Sequence, residues 1–328
     1  MIYKCQNCGA NTVYAPEKNG MCCPHCDSMD SEVKEPGNGL LSCVTCGAPI
    51  SPKEFDSAYK CGHCGAYMIF EERVEGDLEP HLILPFMVSK NKAKEILKQT
   101  FGKKIFLPDN FLKEAFLDTM EGIYVPFYLY DYDCYYDYQG TGKKIRTWTS
   151  GNTEYTETSI YRIIREMDMD FSKIPVDASI KMDDQLMDLL EPFRYDQLRD
   201  FDTKYMSGFF GEMRNMSPDV IEPRAKMKAQ SDAEALMQST ISGYSSVTPE
   251  HRDLRLRNTA QNYTLLPVWK YVYKYRGKEY EFDLNGQTGK LVGATPISVH
   301  KVVAYAITLF AGLSSIFLLA LRILEVIL

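Results

Sequence analysis

The feature that most constrains the fold of this chain is a set of eight cysteines arranged as two copies of one spacing. Each copy has the form Cys-x2-Cys-x14-Cys-x2-Cys, and the second copy follows the first after a shift of 38 residues. The cysteines are Cys5, Cys8, Cys23 and Cys26 in the first copy and Cys43, Cys46, Cys61 and Cys64 in the second. An internal repeat of this kind indicates that one small structural unit occurs twice.

The spacing of each copy is typical of a zinc ribbon, in which two Cys-x2-Cys knuckles supply four thiolates to one ion. Four thiolates fill a tetrahedral shell, so the sequence predicts two structural Zn²⁺ ions rather than a catalytic metal. Gly9, Gly47 and Gly65 follow their knuckles, where the backbone must turn tightly. Disulfides and an iron–sulfur cluster are the alternatives, and paired knuckles at identical spacing favour zinc over both.

Three further residues near the knuckles could compete for the metal. His25 and His63 recur at the same shift, each just before the last cysteine of its copy. Because each copy already has four cysteines, we expect both histidines to be exposed side chains. Cys22 lies beside Cys23, but only Cys23 matches Cys61 under the shift, so we expect Cys22 to lie outside the metal site.

The charge of the chain argues against a nucleic-acid clamp. The full chain carries a formal net charge of −7, and residues 1–70 contain five Lys against seven Asp or Glu. Two Zn(Cys)4 centres would each add about −2, so this region should repel phosphate backbones. No basic and apolar leader precedes the first knuckle, and we therefore expect reduced thiols in the cytoplasm.

The last part of the sequence predicts a transmembrane helix. Residues 302–321 are twenty consecutive uncharged residues, and at about 1.5 Å per residue they match the roughly 30 Å hydrocarbon thickness of a bilayer. A helix buried in a soluble core is the alternative, but a helix that is apolar on all sides needs a larger protein to bury it. Lys290, His300 and Lys301 precede the span, so we expect a single-pass protein of the cell membrane with cytoplasmic N-terminal domains.

The region between the cysteines and the span predicts an α+β fold with a largely antiparallel β body and peripheral helices. From Gly122 the pattern has a period of two, as in a half-buried strand. One face carries Tyr128, Tyr130, Tyr132, Cys134, Tyr136 and Tyr138, and the other carries Asp131, Asp133 and Asp137. Helices are predicted after Ser89, from Asp109, from Asp183 and from Pro223 to Ser239. The predicted domains are zinc ribbon 1 at 1–36, zinc ribbon 2 at 37–72, a linker at 73–80, an α+β subdomain at 81–215, a helix and β-hairpin subdomain at 216–297, and the transmembrane helix at 302–321.

A second internal repeat favours two related subdomains within the body. Alignment of Pro126 with Pro267 superimposes IYVPFYLYDYD on TLLPVWKYVYK, so that the aromatic positions coincide. Chance similarity between aromatic strands is the alternative.

The body shows no pattern of catalytic side chains. The segments at Gly140 and Gly286 lack the Gly-x4-Gly-Lys-Ser/Thr spacing of a phosphate loop, so we interpret both as turns. Asp131, Asp133 and Asp137 do not follow the spacing of a calcium loop and are interpreted as a solvated strand face. We therefore expect a non-enzymatic protein with no catalytic or organic-cofactor site.

The chain resembles a bacterial family of zinc-ribbon, membrane-anchored proteins of the YdjG type. The resemblance rests on the paired ribbons and on the segments RTWTSGNTEYTETSIYRIIREMDMDF, PVDASIKMDD and LLPVWKYVYKYRGKEYEFDLNGQTGKLVG. Such proteins often carry labels such as TFIIB-type zinc-ribbon protein or primosomal helicase, which reflect the knuckles alone. The resemblance implies work at the cytoplasmic membrane face with flotillin-like (SPFH) and phage-shock-type envelope-stress proteins as partners, and it implies the eight cysteines as binding residues.

Two hypotheses of function follow. The first is a membrane-tethered zinc-ribbon scaffold that docks protein partners in envelope-stress or flotillin-like assemblies. The second is a nucleic-acid-binding zinc-ribbon protein of transcription or replication, which the negative charge disfavours. An enzyme with a pocket on the aromatic strands is a third class, and it would need a catalytic group that the sequence does not supply.

Overall fold

A computed structural model describes the backbone of residues 1–37 and 41–327 and the side chains of residues 1–37 and 41–323. The strands are β1 (Ile2–Cys5), β2 (Val13–Ala15), β3 (Gly20–Cys22), β4 (Glu32–Glu35), β5 (Asp56–Lys60), β6 (Tyr67–Ile69), β7 (Leu82–Ile83), β8 (Glu121–Ser150), β9 (Thr153–Asp177), β10 (Arg199–Asp200), β11 (Phe210–Glu212), β12 (Ser246–Tyr275), β13 (Lys278–Asn285) and β14 (Leu291–Gly293). The helices are α1 (Lys90–Phe101), α2 (Glu114–Leu117), α3 (Asp184–Leu189), α4 (Pro218–Ser239) and α5 (Val299–Ile327).

One ten-stranded sheet forms the body. Its central order is β10–β7–β12–β8–β11–β5–β6, with β9 added on β8 and with β13 and β14 extending from β12. The long strands β8, β9 and β12 pair antiparallel, whereas β7 runs parallel to β12 and β11 runs parallel to β8. The predicted α+β class is confirmed: two four-cysteine units, a largely antiparallel body with few helices and a C-terminal apolar helix.

The alternating residues of β8 divide its two faces as the sequence predicts. The tyrosines on the face covered by α4 are buried, namely Tyr130, Tyr132, Tyr136 and Tyr138. On the helix, small buried residues recur every four positions, at Ala225, Ala229 and Ala233. Because alanine side chains are short, the helix can lie close to the tyrosine rings, and the Tyr130 hydroxyl donates a hydrogen bond to the Pro218 carbonyl at 2.7 Å.

The carboxylates of β8 lie on the opposite face, where they make polar contacts. Asp131 accepts a hydrogen bond from the backbone N–H of Lys173 at 2.6 Å, and Asp133 pairs with Arg257 across the sheet. This face carries cross-strand polar pairs rather than a calcium loop, in agreement with the interpretation from the sequence.

The second internal repeat is present as a pseudo-two-fold relation within the sheet. The carbonyls of Pro126 and Pro267 both accept a backbone hydrogen bond at 2.8 Å, from Ala178 and Gly286 respectively. The same relation extends to the neighbouring strands. Ile123 of β8 pairs with Phe210 of β11, and the aligned residue Thr264 of β12 pairs with Leu82 of β7. The hairpins β8–β9 and β12–β13 are therefore built on one plan, and the predicted alignment is confirmed.

The two halves of the body exchange their helices. Helix α1 precedes β8 in the chain but packs on the second hairpin, where the ring centroids of Phe101 and Phe282 are 5.5 Å apart. Helix α4 precedes β12 but packs mainly on β9 and β8. Both halves share one sheet, so the boundary predicted between 81–215 and 216–297 divides the sequence and not the folded body.

Three local predictions differ from the structure. Gly140 lies inside β8 rather than in a turn, and glycine is needed there because a Cβ atom would meet the Thr248 carbonyl oxygen at 2.8 Å. The helix expected from Asp109 is limited to α2, since residues before Glu114 form turns. Helix α4 begins at Pro218, and Pro223 lies inside it.

Candidate metal centres

The first four-cysteine group brings together sulfurs from two knuckles. The Sγ atoms of Cys5, Cys8, Cys23 and Cys26 all lie within 4.8 Å of one another. The Cys5–Cys26 pair is separated by 3.6 Å and the Cys8–Cys23 pair by 3.5 Å. A disulfide needs about 2.05 Å, so these sulfurs are not bonded to one another.

The second group repeats this geometry. Cys43, Cys46, Cys61 and Cys64 also lie within 4.8 Å of one another, with Sγ separations of 3.6 Å for Cys43–Cys64 and 3.8 Å for Cys46–Cys61. Two sulfurs bound at about 2.3 Å to one tetrahedral ion lie roughly 3.8 Å apart. The donors and their separations therefore fit a tetrahedral metal ion at both centres.

All four knuckles use the same backbone hydrogen bond. The N–H group four residues after the first cysteine of each knuckle donates to that cysteine's carbonyl, at 2.8–2.9 Å. The donors are Gly9, Asp27, Gly47 and Gly65, and each has a positive φ between 58° and 74°. Three of these positions are glycine, which adopts such angles without strain, whereas Asp27 adopts the same angle with a side chain.

The two centres differ in the groups that stabilise their thiolates. The Ser28 hydroxyl lies 3.0 Å from the Cys5 sulfur and 3.1 Å from the Cys26 sulfur, and its hydrogen bond lowers the pKa of Cys5 to about 5. In the second centre Ala66 occupies the position of Ser28. There the backbone N–H of Cys64 is the main cause that lowers the pKa of Cys61, to about 6.

The competing residues lie outside both groups. His25 and His63 are exposed and are not members of either four-sulfur set. Cys22 is buried, and its sulfur accepts a hydrogen bond from the Lys18 ammonium at 3.2 Å. The sequence reasoning did not anticipate the role of Ser28, although the difference between Ser28 and Ala66 is visible when the two copies are aligned.

Ribbon 1 (residues 1–36) contacts the body through side chains and single backbone hydrogen bonds. Its strands form two separate pairs, β1–β4 and β2–β3. The backbone N–H of Tyr14 donates to the Ser207 carbonyl at 2.9 Å, and the Ser207 hydroxyl donates to the Thr12 carbonyl at 2.7 Å. Gly208 lies against Val13, where a Cβ atom on the glycine would be only 2.9 Å from the valine Cβ.

Ribbon 2 (residues 37–72) is part of the main sheet. Strand β5 pairs antiparallel with β11, with Ala58 opposite Gly211, and β6 forms the edge beyond it. The Lys181 ammonium adds a polar contact across this junction, at 3.7 Å from Asp56 and 3.6 Å from Glu212. Both ribbons thus contact the segment from Ser207 to Glu212, ribbon 1 through isolated contacts and ribbon 2 through strand pairing.

Helix α5 is long and apolar enough to cross a bilayer once. Its candidate span covers Val299–Ile323, and none of it is buried against the rest of the protein. The alternative of a core helix requires burial, so the exposed surface of α5 agrees with a membrane anchor.

Two four-cysteine centres on ribbon folds, together with an exposed apolar helix, fit the class of membrane-anchored zinc-ribbon proteins. The chain is 33% identical over 333 aligned positions to a protein of Bacillus subtilis (strain 168) described as "Uncharacterized protein YdjG". The alignment covers 98% of this chain and 96% of the relative, and the chain therefore belongs to the YdjG family. No protein-family model matches the chain, and no solved structure is significantly similar to it.

Proposed function

We propose that this protein is a non-enzymatic scaffold, tethered to the cell membrane by α5, that docks protein partners on its cytoplasmic side. In this account both four-cysteine centres hold Zn²⁺ and act as folding elements, because four thiolates leave no position open for a substrate. The observation that carries the proposal is the projecting end of the β8–β9 hairpin.

This hairpin extends beyond the rest of the sheet. Strand β12 pairs with β8 only as far as the contact between Ser246 and Lys143, whereas β8 and β9 stay paired to the turn at Gly151. We call residues 144–160 the arm tip. A two-stranded ribbon is marginally stable in water on its own, so a segment of this length is expected to gain stability from a partner.

The arm tip and the adjacent part of β9 expose large apolar side chains. They are Ile145, Trp148, Tyr155, Ile160, Tyr161 and Ile164, at 42–67% of their full surface. The Trp148 and Tyr155 rings stack at 5.7 Å, which forms a flat aromatic patch. Aromatic residues of this kind are enriched at the centres of protein interfaces.

The outer edge of β9 is the second element of the docking surface. Within the described residues, β9 pairs with β8 alone, and its other edge is open over residues 153–173, whereas residues 174–177 are buried. An open edge accepts an added strand from another protein, in which main-chain hydrogen bonds supply affinity and alternate side chains supply specificity. We therefore propose that a partner adds a strand beside β9.

Strand β12 separates this surface from the anchor. The strand runs from Ser246 at the arm to Tyr275, whose neighbour Arg276 contacts His300 in the first turn of α5. Thirty strand residues extend up to about 100 Å. The tether and the arm tip thus lie at opposite ends of one long strand, which would hold a partner away from the lipid surface.

The resemblance supplies the candidate partners. A flotillin-like (SPFH) membrane protein and phage-shock-type envelope-stress proteins are the partners we propose. The competing nucleic-acid function predicts salt-resistant DNA binding, whereas an acidic scaffold should bind DNA weakly and release it by about 0.2 M salt.

The test compares two charge-introducing double variants of the full chain. Ile160→Lys with Ile164→Lys places charge on the exposed face of β9, and Val220→Lys with Met227→Lys places the same charge on exposed positions of α4. Lysine on an edge strand blocks strand addition. We expect the β9 variant to lose co-purification of the SPFH protein from native membranes and the α4 variant to retain it.

Equal retention by both variants would contradict docking at β9. A separate comparison tests the tether: a chain ending at Pro296 should be soluble and folded while the full chain requires detergent. If the shortened chain aggregates, α5 is a core helix and the membrane assignment is wrong.

A further inference from the structure

The start of α5 is fixed to the body on two sides. The Ser298 N–H donates to the Phe106 carbonyl at 2.7 Å, and the Lys301 ammonium lies 2.6 Å from an Asp109 carboxylate oxygen. On the other side, the Arg276 guanidinium lies 3.0 Å from the His300 imidazole nitrogen. The body therefore cannot swing freely about the helix, and its position relative to the bilayer follows from these contacts.

One body loop reaches the depth at which the apolar span begins. The Phe106 ring contacts the Tyr305 ring at 5.5 Å, and Tyr305 lies one helical turn beyond Lys301. One turn advances about 5.4 Å along the axis. Phe106 and its exposed neighbour Ile105 consequently lie at the level of the lipid headgroups when α5 spans the membrane.

Exposed cations lie on this loop and at the β12–β13 turn, which contacts the first turn of α5 through Arg276. Lys103, Lys104, Arg276 and Lys278 are exposed, and none has a carboxylate partner within the described residues. Lys104 instead donates to the Thr295 hydroxyl at 3.2 Å, and Arg276 and Lys278 lie over the rings of Tyr275 and Tyr280. The nearby acids are already paired, because Asp109 contacts Lys301 and Glu279 contacts Lys274.

This concentration of positive charge contrasts with the net charge of −7 on the chain. An acidic body is repelled by an anionic membrane, and cations at its membrane end oppose that repulsion. We propose that Lys103, Lys104, Arg276 and Lys278 form a collar that binds anionic phospholipid headgroups and holds the body against the membrane. The inference rests on the proposed membrane anchor and adds the class of lipid that the anchored body recognises.

The test uses the full chain in lipid nanodiscs. One disc contains phosphatidylcholine alone, and the other contains about 30% phosphatidylglycerol. Hydrogen exchange of residues 102–110 and 275–279 should slow by at least about fivefold in the anionic disc at low salt. The difference between the discs should disappear at about 0.5 M salt, because the Debye length then falls to a few ångströms.

Matched charge removals make the test specific. Lys103→Gln, Lys104→Gln and Lys278→Gln together should abolish the difference between the discs. Lys143→Gln, Arg146→Gln and Arg162→Gln remove the same charge near the arm tip and should leave the difference unchanged. Equal exchange in the two discs, or the same effect from both triple variants, would overturn the collar while leaving the anchor intact. A chain that enters neither disc would overturn the anchor and the collar with it.

Discussion

Ribbon 2 continues the main sheet through β5, whereas ribbon 1 forms its own strand pairs and is attached by isolated contacts of Met1, Val13 and Tyr14. The metal-binding knuckles of both ribbons are nevertheless the same, down to one backbone hydrogen bond of 2.8–2.9 Å in each. The comparison shows that a tetracysteine centre determines the local fold of its own knuckles and not the way the ribbon joins the body. The role of each ribbon in the body depends on the strands between the knuckles.

The largest expected effect comes from removing one ligand of each centre. Cys61→Ser and Cys23→Ser should each lose one of two bound ions. Structural zinc contributes on the order of 10 kcal/mol to small ribbons, and ribbon 2 is joined to β11 of the main sheet by strand pairing, whereas ribbon 1 is attached by isolated contacts. We therefore expect Cys61→Ser to lower the melting temperature of the body far more than Cys23→Ser, measured by near-ultraviolet circular dichroism of the buried tyrosines.

Cys22→Ser is the control for this pair. Its sulfur is adjacent to Cys23 in sequence but lies outside the four-sulfur group, so metal content should stay at two ions per chain. Loss of an ion from Cys22→Ser would mean that the first centre uses a different set of sulfurs.

The next largest effect tests whether the attachment of ribbon 1 to the body is independent of metal binding. Gly208→Ala introduces a Cβ atom 2.9 Å from the Val13 Cβ at a φ of 98°, which an alanine rarely adopts. Strain of this kind costs about 2–3 kcal/mol, and it should loosen ribbon 1 from the body while both ions remain bound. Faster hydrogen exchange of β2 without metal loss is the expected result, and loss of an ion would show that attachment and metal binding are coupled.

A smaller effect is expected from the group that distinguishes the two centres. Ser28→Ala removes the hydroxyl that lies 3.0 Å from the Cys5 sulfur and makes the first centre resemble the second, which has Ala66. Hydrogen bonds to metal ligands typically change affinity by about tenfold or more. Competition with a chromophoric chelator should show one weakened site of two, and two unchanged sites would rule out a role for Ser28.

The smallest effect is a gain. Asp27 holds a φ of 58° at the position that glycine occupies in the other three knuckles. Asp27→Gly should raise the free energy of unfolding of ribbon 1 by about 0.5 kcal/mol, because glycine adopts this angle without strain. Gly65→Asp should lower the stability of ribbon 2 by a similar amount, as measured by chelator-induced unfolding. A loss of stability in Asp27→Gly would indicate that the Lys18–Asp27 ion pair outweighs the strain.

The cysteines of each metal centre can be predicted from the sequence because their spacing is a local pattern. The knuckle spacing and the 38-residue shift identify which cysteines belong together, including Cys23 in preference to Cys22. The alternating tyrosines of β8 and the aligned Pro126 and Pro267 are equally local patterns.

The way in which the ribbons and helices join the sheet cannot be predicted from the sequence, since it depends on contacts between residues far apart in the chain. Ala58 pairs with Gly211 across more than 150 positions of sequence, and no local pattern marks either residue as a partner. The exchange of α1 and α4 between the two halves has the same origin. The glycine at position 140 suggests a turn in the sequence, whereas in the folded sheet it allows the close approach of β12.

The most direct test of the account is the metal content of the full chain recovered from membranes washed with salt and alkaline carbonate. Two tetracysteine centres and one spanning helix predict that the chain stays in the washed membrane and carries two zinc ions per polypeptide. Release of the chain by the wash would contradict the anchor. Fewer than two metal ions, or iron in place of zinc, would contradict the assignment of both ribbons.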